Sequence, residues 1–133
     1  MNLILDTHML IWWLHDAAEK LTKIQLVALS DADTHNRPMA LSAITFWEIT
    51  MLLERGRISI TKSLAEFLSD IEAHPLLTVL PLTASIAVES VALGSDFHRD
   101  PADRIIVATA RCHGLTLITA DERIRKWGKV NLV

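Results

Sequence analysis

Four acids stand beside apolar segments at intervals that a fold could bring together: Asp6 after Leu3-Ile4-Leu5, Glu48 inside Phe46-Trp47-Glu48-Ile49, Asp103 behind Asp100-Pro101, and Asp121 behind Leu117-Ile118. Carboxylates gathered on one edge would repel by about 3 kcal/mol per pair at about 5 Å and an effective dielectric of about 20, so something positive must compensate. Carboxylate oxygen and water suit hard cations such as Mg²⁺ or Mn²⁺, whereas one cysteine, Cys112, and six unclustered histidines argue against zinc. The chemistry such a centre performs is hydrolysis of a phosphodiester, in which the cation neutralises the phosphate and acidifies an attacking water.

Each acid also has an ordinary structural reading. Asp100 is placed as a helix cap and Asp103 as the third helical residue behind it, a position favoured for an acid by the helix dipole. Asp121 serves equally well as the start of a helix. Glu48 interrupts an apolar stretch, where a core position would leave it unpaired. Asp6 ends an apolar strand and is desolvated by its neighbours, which points to a partner charge or a metal.

Positioning these acids requires an alternation of strands and helices. Residues 3–5 read as a strand and 7–15 as a helix; Leu21, Ile24, Val27, Ala28 and Leu29 fall at helical spacing over 21–32, before a polar loop at 33–38. Residues 39–41 predict a second strand, with Ser42 capping a helix to about Glu54 and Gly56 beyond its end. Leu64, Phe67, Leu68 and Ile71 make an amphipathic stripe over 64–73, residues 76–80 a third strand, and Thr83 caps a helix that Gly94 ends. Asp100 and Pro101 open a helix to about His113, followed by a strand at 115–118, a short helix at 121–127 and a last strand at 130–132.

Strands separated by helices imply parallel pairing and right-handed crossovers. The expected fold class is α/β, a three-layer α/β/α sandwich with a central, mostly parallel sheet of about five strands. In such sheets ligands sit outside the carboxyl ends of the strands. Asp6, Asp103 and Asp121 map to that edge, and Glu48, six residues past Ser42, needs a helix that leans over it.

The 133 residues suit one domain, 50% of them are hydrophobic and 22% charged, so a real core is available and disorder is excluded. A net charge of -3 excludes a polybasic protein that holds nucleic acid by bulk charge. The lone cysteine excludes an intrachain disulfide and fits a reducing compartment; no apolar run spans a bilayer, and the start Met1-Asn2-Leu3-Ile4-Leu5-Asp6 has no basic region of a signal peptide. The expected location is the cytoplasm, with no membrane association.

Four segments in order resemble a known family: Leu5-Asp6-Thr7-His8, Ser42-Ala43-Ile44-Thr45-Phe46-Trp47-Glu48-Ile49, His98-Arg99-Asp100-Pro101-Ala102-Asp103-Arg104 and Leu117-Ile118-Thr119-Ala120-Asp121 are similar to the acidic motifs of PIN-domain ribonucleases, specifically VapC-type toxins of type II toxin-antitoxin modules. The resemblance covers nearly the whole chain and implies one PIN-like nuclease domain over 1–133. It implies that Asp6, Glu48, Asp103 and Asp121 bind the metal, with Asp103 preferred over Asp100 because it stands just before Ile105-Ile106-Val107-Ala108-Thr109-Ala110, and that Thr7 and Thr119 support them. It further implies Mg²⁺- or Mn²⁺-dependent cleavage of RNA, homodimerisation and inhibition by a cognate antitoxin.

An RNA substrate must be squared with net acidity. Residues 1–97 hold six basic and twelve acidic side chains and residues 98–133 seven and four, so the charge is segregated as -6 and +3. Arg99, Arg104, Arg123, Arg125 and Lys126, with Arg111 and Lys129, are therefore candidates for a phosphate track; an ordinary solvated face, with Arg104 paired to an acid, is the alternative. Met9 to Leu14 is a longer apolar run than one helix stripe buries, which offers Trp12 or Trp13, with Trp47, to an antitoxin or a second protomer, core filling being the other reading. His8 is the one histidine beside a proposed acid.

Competing chemistries are a phosphatase working through an aspartyl phosphate, which wants a second acid where His8 stands, and a receiver-like domain, which wants an acidic pair at Asp6. The non-enzymatic reading is a module whose acids hold a cation or an Arg-rich peptide.

Overall fold

The computed structural model describes residues 1–133 as β1 (Leu3–Leu5), α1 (Thr7–Leu14), α2 (Lys23–Thr34), β2 (Met39–Ser42), α3 (Ile44–Glu54), α4 (Leu64–Ala73), β3 (Leu77–Leu80), α5 (Ala84–Ala92), α6 (Pro101–His113), β4 (Thr116–Ile118) and α7 (Glu122–Trp127), with a 3₁₀ turn at Ala18–Lys20. The strands are all parallel, in the order β3-β2-β1-β4. Ile4 lies opposite Ala40 on one side and Leu117 on the other. The chain steps outward from β1 to β2 to β3 and then returns to the far side of β1, so a topological switch point falls between β1 and β4, where a crevice opens at the carboxyl edge.

Alternation along each strand builds the three layers. Leu5, Met39, Leu41 and Ile118 face one way and join Met9, Leu10, Ile49, Phe67 and Ile71 from α1, α3 and α4. Ile4, Ala40 and Leu117 face the other way and join Phe97, Ile106, Val107 and Ile124. Two cores, one on each face, therefore clamp a sheet of very short strands, which is how a parallel sheet keeps its backbone from water.

The fifth strand is the main departure from expectation. Residues 130–132 contribute only a single parallel bridge, Leu117 to Leu132, with Leu117 N–H donating to Asn131 O at 2.8 Å. α7 ends at Trp127, capped by Gly128, whose φ of 66° is the left-handed turn that glycine takes without penalty, and the segment that follows meets β4 at Leu132 alone.

Ser42 is not the helix cap but the last residue of β2. Ala43 takes the cap position without a side-chain bond, and the Ser42 hydroxyl accepts from Ile44 N–H at 3.2 Å. In α2 the buried side chains are Gln25, Leu29 and Ala32, while Ile24 and Val27 stay 71% and 65% exposed, so the expected apolar face is rotated. Gln25 is buried because it is fully used: its Oε1 accepts from Thr22 N–H, closing a capping box, and its Nε2 donates to Thr119 O at 2.9 Å. The run from Met9 to Leu14 divides, with Met9, Leu10 and Ile11 buried and Trp12, Trp13 and Leu14 half-buried against the first core. No helix is long and apolar enough to cross a membrane.

Candidate metal centre

The carboxyl edge of the sheet opens into a cleft of about 570 Å³ lined by Asp6, Glu48, Asp100, Asp103 and Asp121 among others. Three of these acids reach it as helix caps. Asp6 leaves β1 and caps α1, its Oδ1 accepting from Met9 N–H at 2.9 Å. Asp100 caps α6 through Oδ1, from Ala102 N–H at 3.0 Å and Asp103 N–H at 3.3 Å, with Pro101 at the first helical position where no N–H is needed. Asp121 follows β4 and caps α7 through Oδ1, from Arg123 N–H at 2.8 Å and Ile124 N–H at 3.4 Å. The capping and the ligand readings are thus compatible: capping holds Oδ1 of Asp100 and leaves its Oδ2 free.

Glu48 projects from the second turn of α3 and Asp103 from the first turn of α6. Glu48, Asp100 and Asp103 offer carboxylate oxygens within 4.8 Å of one another, and His98, Asp103 and Asp121 offer a second such set sharing Asp103. Asp6 is in neither set and forms the floor of the cleft. It is 8% exposed, and Oδ2 receives the Thr119 hydroxyl. Thr119 Oγ1 in turn accepts from Asp121 N–H at 3.0 Å, so one threonine ties the two acids that flank the switch point. Thr7 donates to Thr45 Oγ1 at 3.2 Å, and its hydroxyl also counters the rise in the Glu48 pKa.

The electrostatics are those of crowded acids. Burial, reinforced by Asp100, Glu48, Asp121 and Asp6, pushes Asp103 up to about 8. Burial raises Asp6 against the opposing hydrogen bonds of Thr119 and Met9, and it raises Glu48 with help from Asp100. Asp121 alone falls: burial would raise it, but Arg123, at 3.1 Å from Oδ2, together with the backbone of α7, outweighs that. His98 Nε2 lies 3.3 Å from Asp103 Oδ2 without the alignment of a hydrogen bond, so both ring nitrogens are buried and unpartnered. Burial and the nearby Arg123 hold His98 below its usual range.

The basic residues of the C-terminal part separate into distinct roles. Arg104 is a correction to the phosphate track: its guanidinium donates to the carbonyls of His98, Ser90, Gly94 and Phe97 at 2.7 to 3.0 Å, which commits four of its five N–H groups to the fold. Arg125 is exposed and only its Nη1 is engaged, by Thr119 O and Val133 O. Arg123 lines the cleft and reaches Asp103 at 3.9 Å. Arg99 and Lys126 are exposed and outside the cleft lining. Arg55 and Arg57, from the acidic part of the sequence, do line it and escaped the charge-segregation argument. For Arg55, the C-cap of α3, the signal was helical spacing from Glu48 through Leu52; Arg57, past the helix end, had none. Trp12 and Trp47 line the cleft as well, Trp12 packed on His8 at 5.8 Å between centroids. Trp13 packs elsewhere, on His74 at 5.2 Å.

Residues 3–130 match the PIN domain. Ribonuclease VapC22 of Mycobacterium tuberculosis is 36% identical over 124 residues, which cover 93% of this chain and 90% of that protein. VapBC2 from Rickettsia felis, solved bound to a DNA fragment from its promoter, superposes with a TM-score of 0.71 at 16% identity, covering 100% of this chain and 98% of that one. FitAcB from Neisseria gonorrhoeae gives 0.64 at 24% identity, covering 98% and 95%.

Proposed function

Since the chain belongs to the PIN-domain family, we propose that it is a metal-dependent endoribonuclease, the toxin of a type II toxin-antitoxin module, acting as one nuclease unit over 1–133. The observation that carries the proposal is the convergence of Asp6, Glu48, Asp100, Asp103 and Asp121, from separate elements, on one cleft at the switch point of the sheet. The donors are carboxylate oxygens, the set that suits a hard divalent cation, and a carboxyl pushed up to about 8 marks a place where positive charge is wanted.

Glu48, Asp103 and Asp100 would hold Mg²⁺ or Mn²⁺, with Asp6 and Asp121 adding negative charge around the site. A cation held there would supply neutralisation of the scissile phosphate and acidification of a water. Asp6, clamped at both oxygens by Thr119 and the Met9 amide, cannot swing away and orients that water from the cleft floor. Arg123, poised between Asp121 and Asp103, balances negative charge gathered at the phosphate. Thr7 and Thr119 are positioning residues.

The remaining assignments follow from the same family: RNA as substrate, a cognate antitoxin that occupies the toxin, a homodimer, and a cytoplasmic location. Exposed apolar side chains on two separate helices, Ile24 with Val27 on α2 and Val88 with Val91 on α5, offer surfaces for two protein partners. The test is cleavage of a mixed cellular RNA pool by protein freed of antitoxin, with Mg²⁺, Mn²⁺ or EDTA. Metal-dependent cuts that vanish in Asp6→Asn and Asp103→Asn are expected; folded protein that cuts nothing under either metal overturns the nuclease reading.

A further inference from the structure

The histidines are scattered along the chain, but the fold brings one of them onto the acids. His98, in the turn before α6, places Nε2 3.3 Å from Asp103 Oδ2, and with Asp121 these residues offer one ligand atom each, all within 4.8 Å of one another. The polar atoms of the ring have no use within the fold. Both nitrogens are fully buried and neither has a hydrogen-bond partner, although a neutral imidazole carries one donor and one acceptor. A buried polar atom without a partner calls for an explanation, and a bound ion is one of the few that fit.

The ring is also held where it stands. It stacks on Phe97, with centroids 4.6 Å apart and planes inclined by 21°, and the carbonyl of His98 accepts from Arg104 Nε at 2.9 Å. Neighbouring ligand atoms on one cation, each about 2.1 Å from it, lie about 3.0 to 3.4 Å apart in octahedral or tetrahedral geometry, and the gap between His98 Nε2 and Asp103 Oδ2 falls in that range. A plain ion pair is the ordinary reading of the same distance, but it would align a ring N–H with the carboxylate, and that alignment is missing. Positive charge is already drawn to the place: Arg123 Nη2 lies 3.1 Å from Asp121 Oδ2 and 3.9 Å from Asp103 Oδ2, at the end of an exposed side chain that is free to give way to a cation.

We propose that His98, Asp103 and Asp121 form a second cation position beside the set of Glu48, Asp100 and Asp103, and that the imidazole makes this position select Mn²⁺ or a later first-row ion over Mg²⁺. Imidazole nitrogen suits transition ions, whereas Mg²⁺ is served by oxygen and water. The inference rests on the reading of the acids as a metal centre and adds to it a nitrogen ligand, contributed by the turn that also carries Asp100.

The test is pulsed electron paramagnetic resonance of the full chain, freed of antitoxin and loaded with Mn²⁺ in excess Mg²⁺, beside calorimetric titration with each ion. Wild type keeps Mn²⁺ bound against the Mg²⁺, and the bound ion shows the nitrogen coupling of one imidazole. His98→Asn loses the coupling and binds Mn²⁺ at least about tenfold more weakly, the least that losing even an outer partner of a ligand costs, while its Mg²⁺ affinity is unchanged. His8→Asn, at an exposed histidine that lines the cleft but belongs to neither set, keeps both the coupling and the affinity. Wild-type Mn²⁺ with oxygen ligands only, coupling that survives in His98→Asn, or Mg²⁺ that displaces all of the Mn²⁺ overturns the proposal and leaves the carboxylate centre standing. Folded protein that binds neither ion overturns the proposal together with the metal centre on which it rests. Nitrogen-coupled Mn²⁺ in a protein that cuts no RNA upholds the position and overturns the nuclease reading alone.

Discussion

Thr119 is a small residue with a large share of the centre. It is fully buried, donates to Asp6, accepts from the Asp121 amide, and its carbonyl is held by Gln25. Thr119→Val keeps the shape and removes the hydroxyl, leaving a buried carboxylate oxygen and a backbone N–H without their partner. The expected cost is about 1 to 3 kcal/mol in urea unfolding, with Thr119→Ser recovering most of it. Metal affinity should fall about 10- to 100-fold, as it does when a residue that orients ligands is lost. Titration calorimetry with Mn²⁺ checks this, and unchanged affinity in a folded Thr119→Val protein would show that Asp6 needs no such support.

At the scale of elements, the N-terminus of α6 and the segment before it depend on Arg104. Its four bonds to the carbonyls of Ser90, Gly94, Phe97 and His98 tie the end of α5 to the turn that presents Asp100 and Asp103. The guanidinium also lies 5.4 Å from the Phe97 ring centroid. Arg104→Met leaves several half-buried carbonyls unpaired and is expected to lower stability by about 3 kcal/mol or more. Arg104→Lys, with a single ammonium in place of a planar fork, should recover only part. Thermal unfolding decides: a loss within about 0.5 kcal/mol, the level of an ordinary surface change, would make the clamp ornamental.

For the whole molecule, crowded acids make stability depend on pH and on metal together. Asp103 titrates at about 8 in the folded chain against 3.8 unfolded, so between those values the folded state binds more protons. Its contribution is fully present below about 4 and is lost as pH rises towards 8. Asp6 and Glu48, also raised, act in the same sense, and Asp121, lowered, acts in the opposite one. In EDTA the Tm is therefore expected to fall from pH 5 to pH 8, and Asp103→Asn to flatten that fall. Mn²⁺ should raise the Tm more at pH 8 than at pH 5, because the cation takes the place of the protons. Differential scanning calorimetry tests both; a flat wild-type profile in EDTA contradicts the crowded-acid account.

The linear sequence determined the order of strands and helices, the caps Asp100 and Thr83 with Pro101 at the first helical position, and the parallel α/β/α architecture, because these depend on local periodicity and on short-range hydrogen bonds, and it singled out four acids that line one cleft. It also carried the family through motifs that span nearly the whole chain. Tertiary structure alone decided the rest. Arg104 could not be told from an RNA contact until four carbonyls, all of them earlier in the chain by more than five residues, closed around it. Gln25 was invisible because its partner Thr119 is 94 residues away. Residues 130–132 had the composition of a strand but pair with β4 through one bridge only. Arg55 and Arg57 joined the cleft because α3 leans across the carboxyl edge, a matter of helix packing on the first core that no count of charges along the chain contains.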